Sequence, residues 1–386
     1  MNRVEDVVPK TSRILGRLGE KKEPVFVVIG GIHGNEPAGV EAIERVIRSI
    51  EKEKIQIRGC FIALRGNIKA LQQGKRFIQM DLNRLWTEAN LQCHECEEAE
   101  FEELESLYEE IRKAANGLRH AFLLDLHTTS ASSSPFFILG DTIRNRRLTA
   151  RIPVPKVLGI EEQIEGTLST FMNEEGLVAI NFEAGSHEDP GSVHRHEAAI
   201  WLALTHTGLV KRDAIPFYSN MRAILRGSAK GLPRVFESIY RYGIAEGENF
   251  KMLPGYFNFK PIHKGEVLAS SNGKPVKAPL SGRIFMPLYQ EQGDDGFFVI
   301  RKINPFWLLV SLVLRLTMPR KWVVFLPGIK RCKRDKWTVR VNKKIARWYP
   351  VKILHLLGYR KVRDEGSRLL MSRRKYDLFA PEKIEL

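Results

Sequence analysis

VFVVIGGIHGNEPAG, residues 25–39, decides how the rest of the chain is read. Val25 to Ile29 form an unbroken apolar run, the pattern of an inner strand buried on both faces. The run ends in glycines, and His33 and Glu36 stand three apart among them. One reading is a turn with two solvated polar side chains. The other is two ligands of one metal ion. Both residues can converge on one ion only if the chain turns sharply, which Gly30, Gly31 and Gly34 permit. Pro37 then suits the first turn of a helix. Val40, Ile43, Ile47 and Ile50 follow at helical spacing, with Glu41, Glu44, Arg45 and Arg48 opposite.

Outward from that stretch, strand and helix patterns alternate. IQIRGCFIAL (55–64), AFLLDLH (121–127), PFFILG (135–140) and LVAINFE (177–183) read as strands. The acidic stretch from Glu95 to Lys113 and HEAAIWLALTHTGLV (196–210) read as helices. The alternation predicts an α/β domain over residues 1–215, a mainly parallel or mixed sheet with helices on both faces. From Phe217 the grammar changes to short strands split by Gly, Pro and Asn, which predicts a small all-β domain over 216–303. Its stretch GEVLASSNGKPVKAPLSGRI looks like a lipoyl-type half barrel, without the hairpin lysine of a carrier domain. Residues 304–386 form a basic, aromatic-rich extension whose one clear helix is PFWLLVSLVLRL.

With 386 residues and 43% hydrophobic content, the chain is globular and larger than one typical core. Cys60, Cys93, Cys96 and Cys332 are too few and too scattered for a disulfide framework. CHEC (93–96) reads as a solvated helix start rather than a second metal site. The N-terminal MNRVEDVVPK has no apolar segment of the signal-peptide kind. The longest apolar run, Phe306 to Leu314, falls well short of the roughly 20 residues a membrane span needs. A reducing, cytoplasmic setting is expected.

The net charge of +16 is uneven. Residues 301–386 hold 23 Lys+Arg and 6 Asp+Glu, whereas the first 300 hold 38 and 39. Any partner implied by charge is therefore expected at the extension. The first expectation is a folded extension. The second is an anionic membrane surface, with PFWLLVSLVLRL as an amphipathic wedge. The third is nucleic acid, met by Lys, Arg, Trp337, Trp348 and Tyr349.

Ligands of open α/β sheets bind at the carboxyl ends of strands. Three strands here end in residues fit for catalysis: GGIHGNE, LHTT and FEAG. They supply His33, Glu36, His127 and Glu183. Catalytic zinc commonly takes three ligands from His, Asp and Glu and leaves a fourth position open. Strand alternation puts Asp125 on the side of His127, where it orients a ligand or stands as a buried, paired acid.

GGIHGNEPAG, MDLNR (80–84), LLDLHTT (123–129) and NFEAG (181–185), in this order, resemble the succinylglutamate desuccinylase/aspartoacylase family of the zinc carboxypeptidase-like clan. The resemblance covers about residues 20–302 and implies a zinc-exopeptidase-like fold. It implies one zinc held by His33, Glu36 and His127, with Glu183 as general base. It implies Arg76 as the oxyanion stabiliser and Asn83 and Arg84 as the grip on a substrate carboxylate. Taken alone, both arginines also fit surface salt bridges. The expected reaction is removal of an acyl group from an N-acyl amino acid or similar small carboxylate. The alternatives are a carboxypeptidase of short peptides and a non-catalytic scaffold with a vestigial site.

The resemblance has departures. Aspartoacylase-type relatives carry an Arg shortly before the catalytic Glu, and GTLSTFMNEEGLVAINFE (166–183) has no Arg or Lys. That argues against N-acetylaspartate as substrate. Some relatives lend the site a Tyr from the β domain, which points to Tyr289, beside a lid-like QEQGDDG. His187, His194 and His196 are read as residues near the site, His187 and His196 being the rival ligands.

Overall fold

The computed structural model describes residues 11–93, 95–318, 320–332, 335–346 and 350–386. MNRVEDVVPK, His94 of CHEC, Trp348 and Tyr349 lie outside the described residues. The first strands are β1 (Ile14–Gly19), β2 (Val25–Gly30), β3 (Cys60–Arg65), β4 (Ala121–Thr129), β5 (Phe136–Leu139), β6 (Lys156–Leu158) and β7 (Val178–Ser186). Then follow β8 (Val235–Gly243), β9 (Phe250–Met252), β10 (Pro261–Ile262), β11 (Val267–Ser271), β12 (Lys274–Lys277), β13 (Gly282–Phe285) and β14 (Asp295–Lys302). Among the described residues one mixed sheet runs in the order β1-β3-β2-β4-β7-β5-β6-β8-β14-β13-β10. Its centre, β3-β2-β4-β7, is parallel. The α/β architecture and the antiparallel β region thus match the sequence expectation, and β8 carries the sheet past residue 215 without a break.

Period-two alternation sorts the central strands between two cores. Phe26 and Val28 of β2 face one core, and Val25, Val27 and Ile29 the other. The helices Ala38–Lys52 and Gly191–His206 cover the first face through Ile43, Val46, Ala199 and Leu202. The helices Ala99–Ala115 and Leu168–Glu174 cover the second through Leu104, Leu107, Ile111 and Met172. On β4, Leu124 and Leu126 enter the first core and Leu123 the second. On β7, Ile180 and Phe182 enter the first and Ala179 the second. By the same parity Asp125, His127, Asn181 and Glu183 belong to the second face, at the carboxyl rim. The register pairs His127 with Glu183 across the two strands.

The extension is folded. After the helix Pro305–Thr317 come β15 (Ile329–Arg331), β16 (Thr338–Asn342), β17 (Tyr359–Glu365) and β18 (Arg368–Arg373), a sheet in the order β15-β16-β18-β17. Val339, Val341, Leu354, Tyr359 and Met371 give it a small core of its own. The sequence pattern hid this sheet because its strands are short and carry Lys and Arg on their open side. Arginines of the extension meet acids of the body: Arg315 reaches Asp141 at 2.9 Å, Arg360 the same acid at 2.7 Å, and Arg374 reaches Glu161 at 3.0 Å. Ile384 returns to the second core, and its carbonyl accepts from Gly117 N at 2.8 Å.

Two expectations need correction. Cys93 and Cys96 are joined in a disulfide, because the turn between two helices brings their Cα atoms to 5.8 Å. And the body is not electrostatically bland. The fold gathers cations from several segments between residues 147 and 234 into one cleft, which a count along the chain averages away.

Candidate metal centre and active site

The turn after β2 is made by two glycines in different ways. Gly31 adopts φ +77°, in the left-handed region. At Gly34 a Cβ would stand 2.0 Å from the carbonyl carbon of Ala70, so only glycine fits beneath that helix. Gly34 N donates to Arg76 O at 3.1 Å, and Glu36 N donates to His33 O at 3.1 Å. The loop therefore turns His33 and Glu36 back to back and fastens the Arg76 segment to them.

His33, Glu36 and His127 converge, with ligand atoms all within 4.8 Å of one another. Glu36 lies between the rings. Its Oε1 is 2.8 Å from His33 Nδ1, and its Oε2 is 3.2 Å from His127 Nδ1. Thr128 N donates to the same Oε2 at 2.8 Å. Each imidazole turns its other nitrogen to a second carboxylate, His33 Nε2 to Asp81 at 3.2 Å and His127 Nε2 to Asp125 at 2.7 Å. With Asp81 and Asp125 accepting from Nε2, each Nδ1 is directed at Glu36, where a cation would take the place of the Nδ1–carboxylate contacts. Two imidazoles and one carboxylate, buried and braced this way, fit a divalent zinc-like ion. Burial pushes the Glu36 carboxyl up, but His33 and His127 outweigh it and hold it well below the usual carboxylate range. Burial likewise opposes the charge on His127, and Asp125 and Glu36 raise it well above the ordinary range.

Glu183 stands on the same face, buried, with Oε2 free of a hydrogen-bond partner among the described residues. Burial pushes its pKa up to about 8; His127 opposes the shift and Glu36 and Asp125 add to it. Arg76 lines the same pocket. Its Nη2 donates to Asp81 at 3.0 Å, its Nη1 is 3.7 Å from Glu36, and its Nε is a buried donor without a partner. Asn83 is partly structural, since its Oδ1 accepts from Leu168 N at 3.0 Å and starts that helix. Arg84 is committed: Nη1 donates to Asn83 O at 3.0 Å, and Nη2 to Asp295 Oδ2 at 2.9 Å.

Tyr289 is placed elsewhere. Its hydroxyl donates to Leu253 O at 2.6 Å and accepts from Tyr256 N at 3.1 Å, within the β region. Its neighbours Leu288 and Gln290 line the pocket instead, and Gln290 Oε1 meets both Asn35 Nδ2 and His187 Nε2 at 3.1 Å. His187 also pairs with Thr128 Oγ1 at 2.7 Å. His196 is fully buried against Phe182, and neither it nor His187 belongs to the converging group. Asp81 was within reach of the sequence reading, since it sits inside MDLNR. Asp295 and Gln290 were not, because no local pattern marks them. Ile138, Ile160 and Ile164 form an apolar wall of a pocket of about 100 Å³.

Comparison with known proteins agrees with this geometry. The family model described as the succinylglutamate desuccinylase/aspartoacylase catalytic domain matches residues 22–209. The succinylglutamate desuccinylase of Pseudomonas syringae pv. tomato is 34% identical over 279 residues, covering 68% of this chain and 78% of that one. The chain thus belongs to the succinylglutamate desuccinylase/aspartoacylase family. Other matches are shorter: that to the Pseudomonas paraeruginosa succinylglutamate desuccinylase is 33% identical and spans 32% of that protein's length. The Vibrio cholerae succinylglutamate desuccinylase shares the fold with TM-score 0.55 and 19% identity, over 74% of this chain and 83% of that one. The succinylglutamate desuccinylase/aspartoacylase of Rhodobacter sphaeroides does so with TM-score 0.55 and 19% identity, over 74% and 88%.

Proposed function

We propose that the protein is a zinc-dependent deacylase that removes an acyl group from an N-acyl amino acid or similar small carboxylate. One observation carries this reading: Glu183, buried with a free carboxylate oxygen, faces the converging His33, Glu36 and His127. When bound, zinc would supply a Lewis acid that polarises the scissile carbonyl and acidifies water. The chain does the rest. Glu183 takes the proton of the attacking water and returns it to the amine nitrogen as the C–N bond breaks. Burial raises the basicity of the Glu183 carboxylate, which suits it to take that proton and hand it on. Arg76, fixed by Asp81, offers its free Nε to the developing oxyanion. Asn83 and Arg84 line the end of the pocket where a substrate carboxylate would lie. The small pocket and the isoleucine wall favour a short, weakly polar acyl group. The reading places the enzyme in the cytoplasm.

The test is a panel of N-acyl amino acids, dipeptides and esters on wild type and Glu183→Gln, with metal content measured in both. Wild type is expected to turn over N-acyl amino acids, and the variant to keep its metal and lose roughly 10³-fold or more in kcat. Turnover surviving in the variant would remove Glu183 from the mechanism. Cleavage of dipeptides alone would make the protein a peptidase.

A further inference from the structure

A second cavity lies apart from the catalytic pocket. It is a cleft of about 1050 Å³, bordered by the segment 147–156, the helix Tyr218–Ser228 and the segment 229–234. Arg147, Arg151, Arg222, Arg226, Lys230 and Arg234 line it, all exposed. No acid lines it, and none of the six forms an ion pair with a described carboxylate. The field they make is felt by neighbours. Burial, and then Arg234, press the Lys156 ammonium down to about 8, although its Nζ donates to two carbonyls. His206 is held low by burial, with Arg151, Arg222 and Lys156 contributing.

An apolar groove adjoins the cleft and shares Arg147, Ala150, Lys156 and Arg234 with it. Its other wall is the helix Pro305–Thr317, through Leu308, Leu309 and Leu312. That helix is packed inside out. Its buried residues are Ser311 and Arg315. Ser311 Oγ donates to Leu356 O at 2.7 Å, and the Arg315 guanidinium is clamped by Asp141 at 2.9 Å and Asp377 at 3.0 Å. Phe306, Trp307, Leu309, Val313 and Leu316 face outward, each 48–58% exposed. A polar clamp on one side and apolar side chains on the other hold the helix in the orientation an aqueous surface disfavours.

We propose that this face docks on an anionic phospholipid membrane. The helix lies in the interface plane with its apolar side among the acyl chains, and the cleft receives the phosphate-bearing headgroups. The helix is about 20 Å long and lies on a bilayer rather than crossing it, in keeping with the fact that no described helix is long and apolar enough to span. Charge complementarity selects the lipid: six cations without acids need anionic headgroups. The exposed Phe, Trp and Leu side chains favour a membrane over nucleic acid, which has no use for an apolar helix beside its phosphates. Arg315, Arg360 and Arg374 of the extension are paired with Asp141 and Glu161, so these three add little to the field of the cleft. The proposal stands independently of the deacylase reading.

The full-length, metal-replete protein should be sedimented with phosphatidylcholine vesicles, with and without phosphatidylglycerol, at low and high salt. Each cation near an anionic surface contributes on the order of fivefold in partitioning. Binding is expected only to the anionic vesicles, falling at least tenfold at high salt. The variants Arg222→Glu/Arg226→Glu and Phe306→Ser/Trp307→Ser should each lose at least tenfold, with melting temperatures near wild type because all four residues are exposed. No pelleting with anionic vesicles at low salt overturns the proposal. So does binding that the cleft variant leaves intact, which would move the contact to the extension. Binding unchanged by the helix variant but competed away by an oligonucleotide would make the face a nucleic-acid surface instead.

Discussion

The catalytic pocket and the basic cleft both display arginines, under opposite conditions. In the pocket each cation faces an acid of the chain: Arg76 has Asp81 at 3.0 Å, and Arg84 has Asp295 at 2.9 Å. In the cleft Arg222, Arg226 and Arg234 stand among other cations, and no described acid lines the space with them. A paired guanidinium is held in one place and ready to act on a small, oriented group. An unpaired cluster repels itself and weakens the fold slightly, a cost that a bound external anion would offset. On the two proposals made above, the regions differ as positioning a reaction differs from recruiting a surface.

The comparison breaks most visibly where a basic group is both unpaired and buried. The cleft cations are exposed, whereas His196 is buried with no partner at either nitrogen among the described residues, and burial holds its pKa down to about 3. In the unfolded chain a histidine titrates near pH 6.5, so the folded value is the lower one. The folded state then refuses a proton that the unfolded state accepts. Stability is full above about pH 6.5 and falls as pH drops toward about 3, by about 5 kcal/mol in total. Denaturant titrations through that window should show this slope, and His196→Leu should flatten it. Parallel wild-type and variant curves would mean that another group drives the acid loss.

Next in size is Arg76. With Asp81 holding one end of the fork and Nε left over, Arg76→Ala should lower kcat on an accepted N-acyl amino acid by about 10²–10³. Arg76→Lys should not restore it, because a point charge cannot bind Asp81 and the oxyanion at once. Full activity in the lysine variant would show that charge alone suffices and that pairing is incidental.

The convergence of the candidate site residues was legible for a physical reason. His33, Glu36, His127 and Glu183 sit where apolar strands end, and strand ends in a parallel sheet share one rim. The parity that sends Leu124 and Leu126 to one core sends Asp125 and His127 to the other, and that alternation is written in the sequence. What stayed hidden depends on long-range approach. Asp295 lies 211 positions from Arg84, and QEQGDDG marks only a turn. The family resemblance points to Tyr289, yet its hydroxyl is taken by Leu253 and Tyr256, and its neighbour Gln290 lines the pocket. The cleft was hidden because its arginines come from separate segments of a body that sums to near neutrality. A folded extension was the first expectation, but the partners of Arg315, Arg360 and Arg374 could not be named from sequence because Asp141 and Glu161 lie far upstream.

A smaller effect sharpens the contrast inside the pocket. On the proposed reading Asp295 stands on Arg84 where a substrate carboxylate would lie, and Arg241 Nε holds the other oxygen of Asp295. A carboxylate substrate must therefore compete with a carboxylate of the chain. Asp295→Asn should lower KM for N-acyl amino acids about tenfold with little change in kcat, since a charged hydrogen bond exceeds a neutral one by roughly that much. The corresponding carboxamides should be unaffected. Equal gains for acids and amides would mean that Asp295 acts by shape.

The smallest expected effect lies in the cleft and has the opposite sign. Arg226→Glu puts one acid among unpaired cations without burying anything. It should stabilise the fold by a few tenths of a kcal/mol, the usual scale of an exposed pair, or roughly 1 °C in Tm. The gain should vanish at about 1 M salt, where the Debye length falls to about 3 Å. A variant that becomes more stable while losing anionic vesicles would show that the native charge arrangement is kept at the expense of the fold. A gain that survives high salt would mean that the substitution acts through local packing, and that the cleft cations are under no mutual strain.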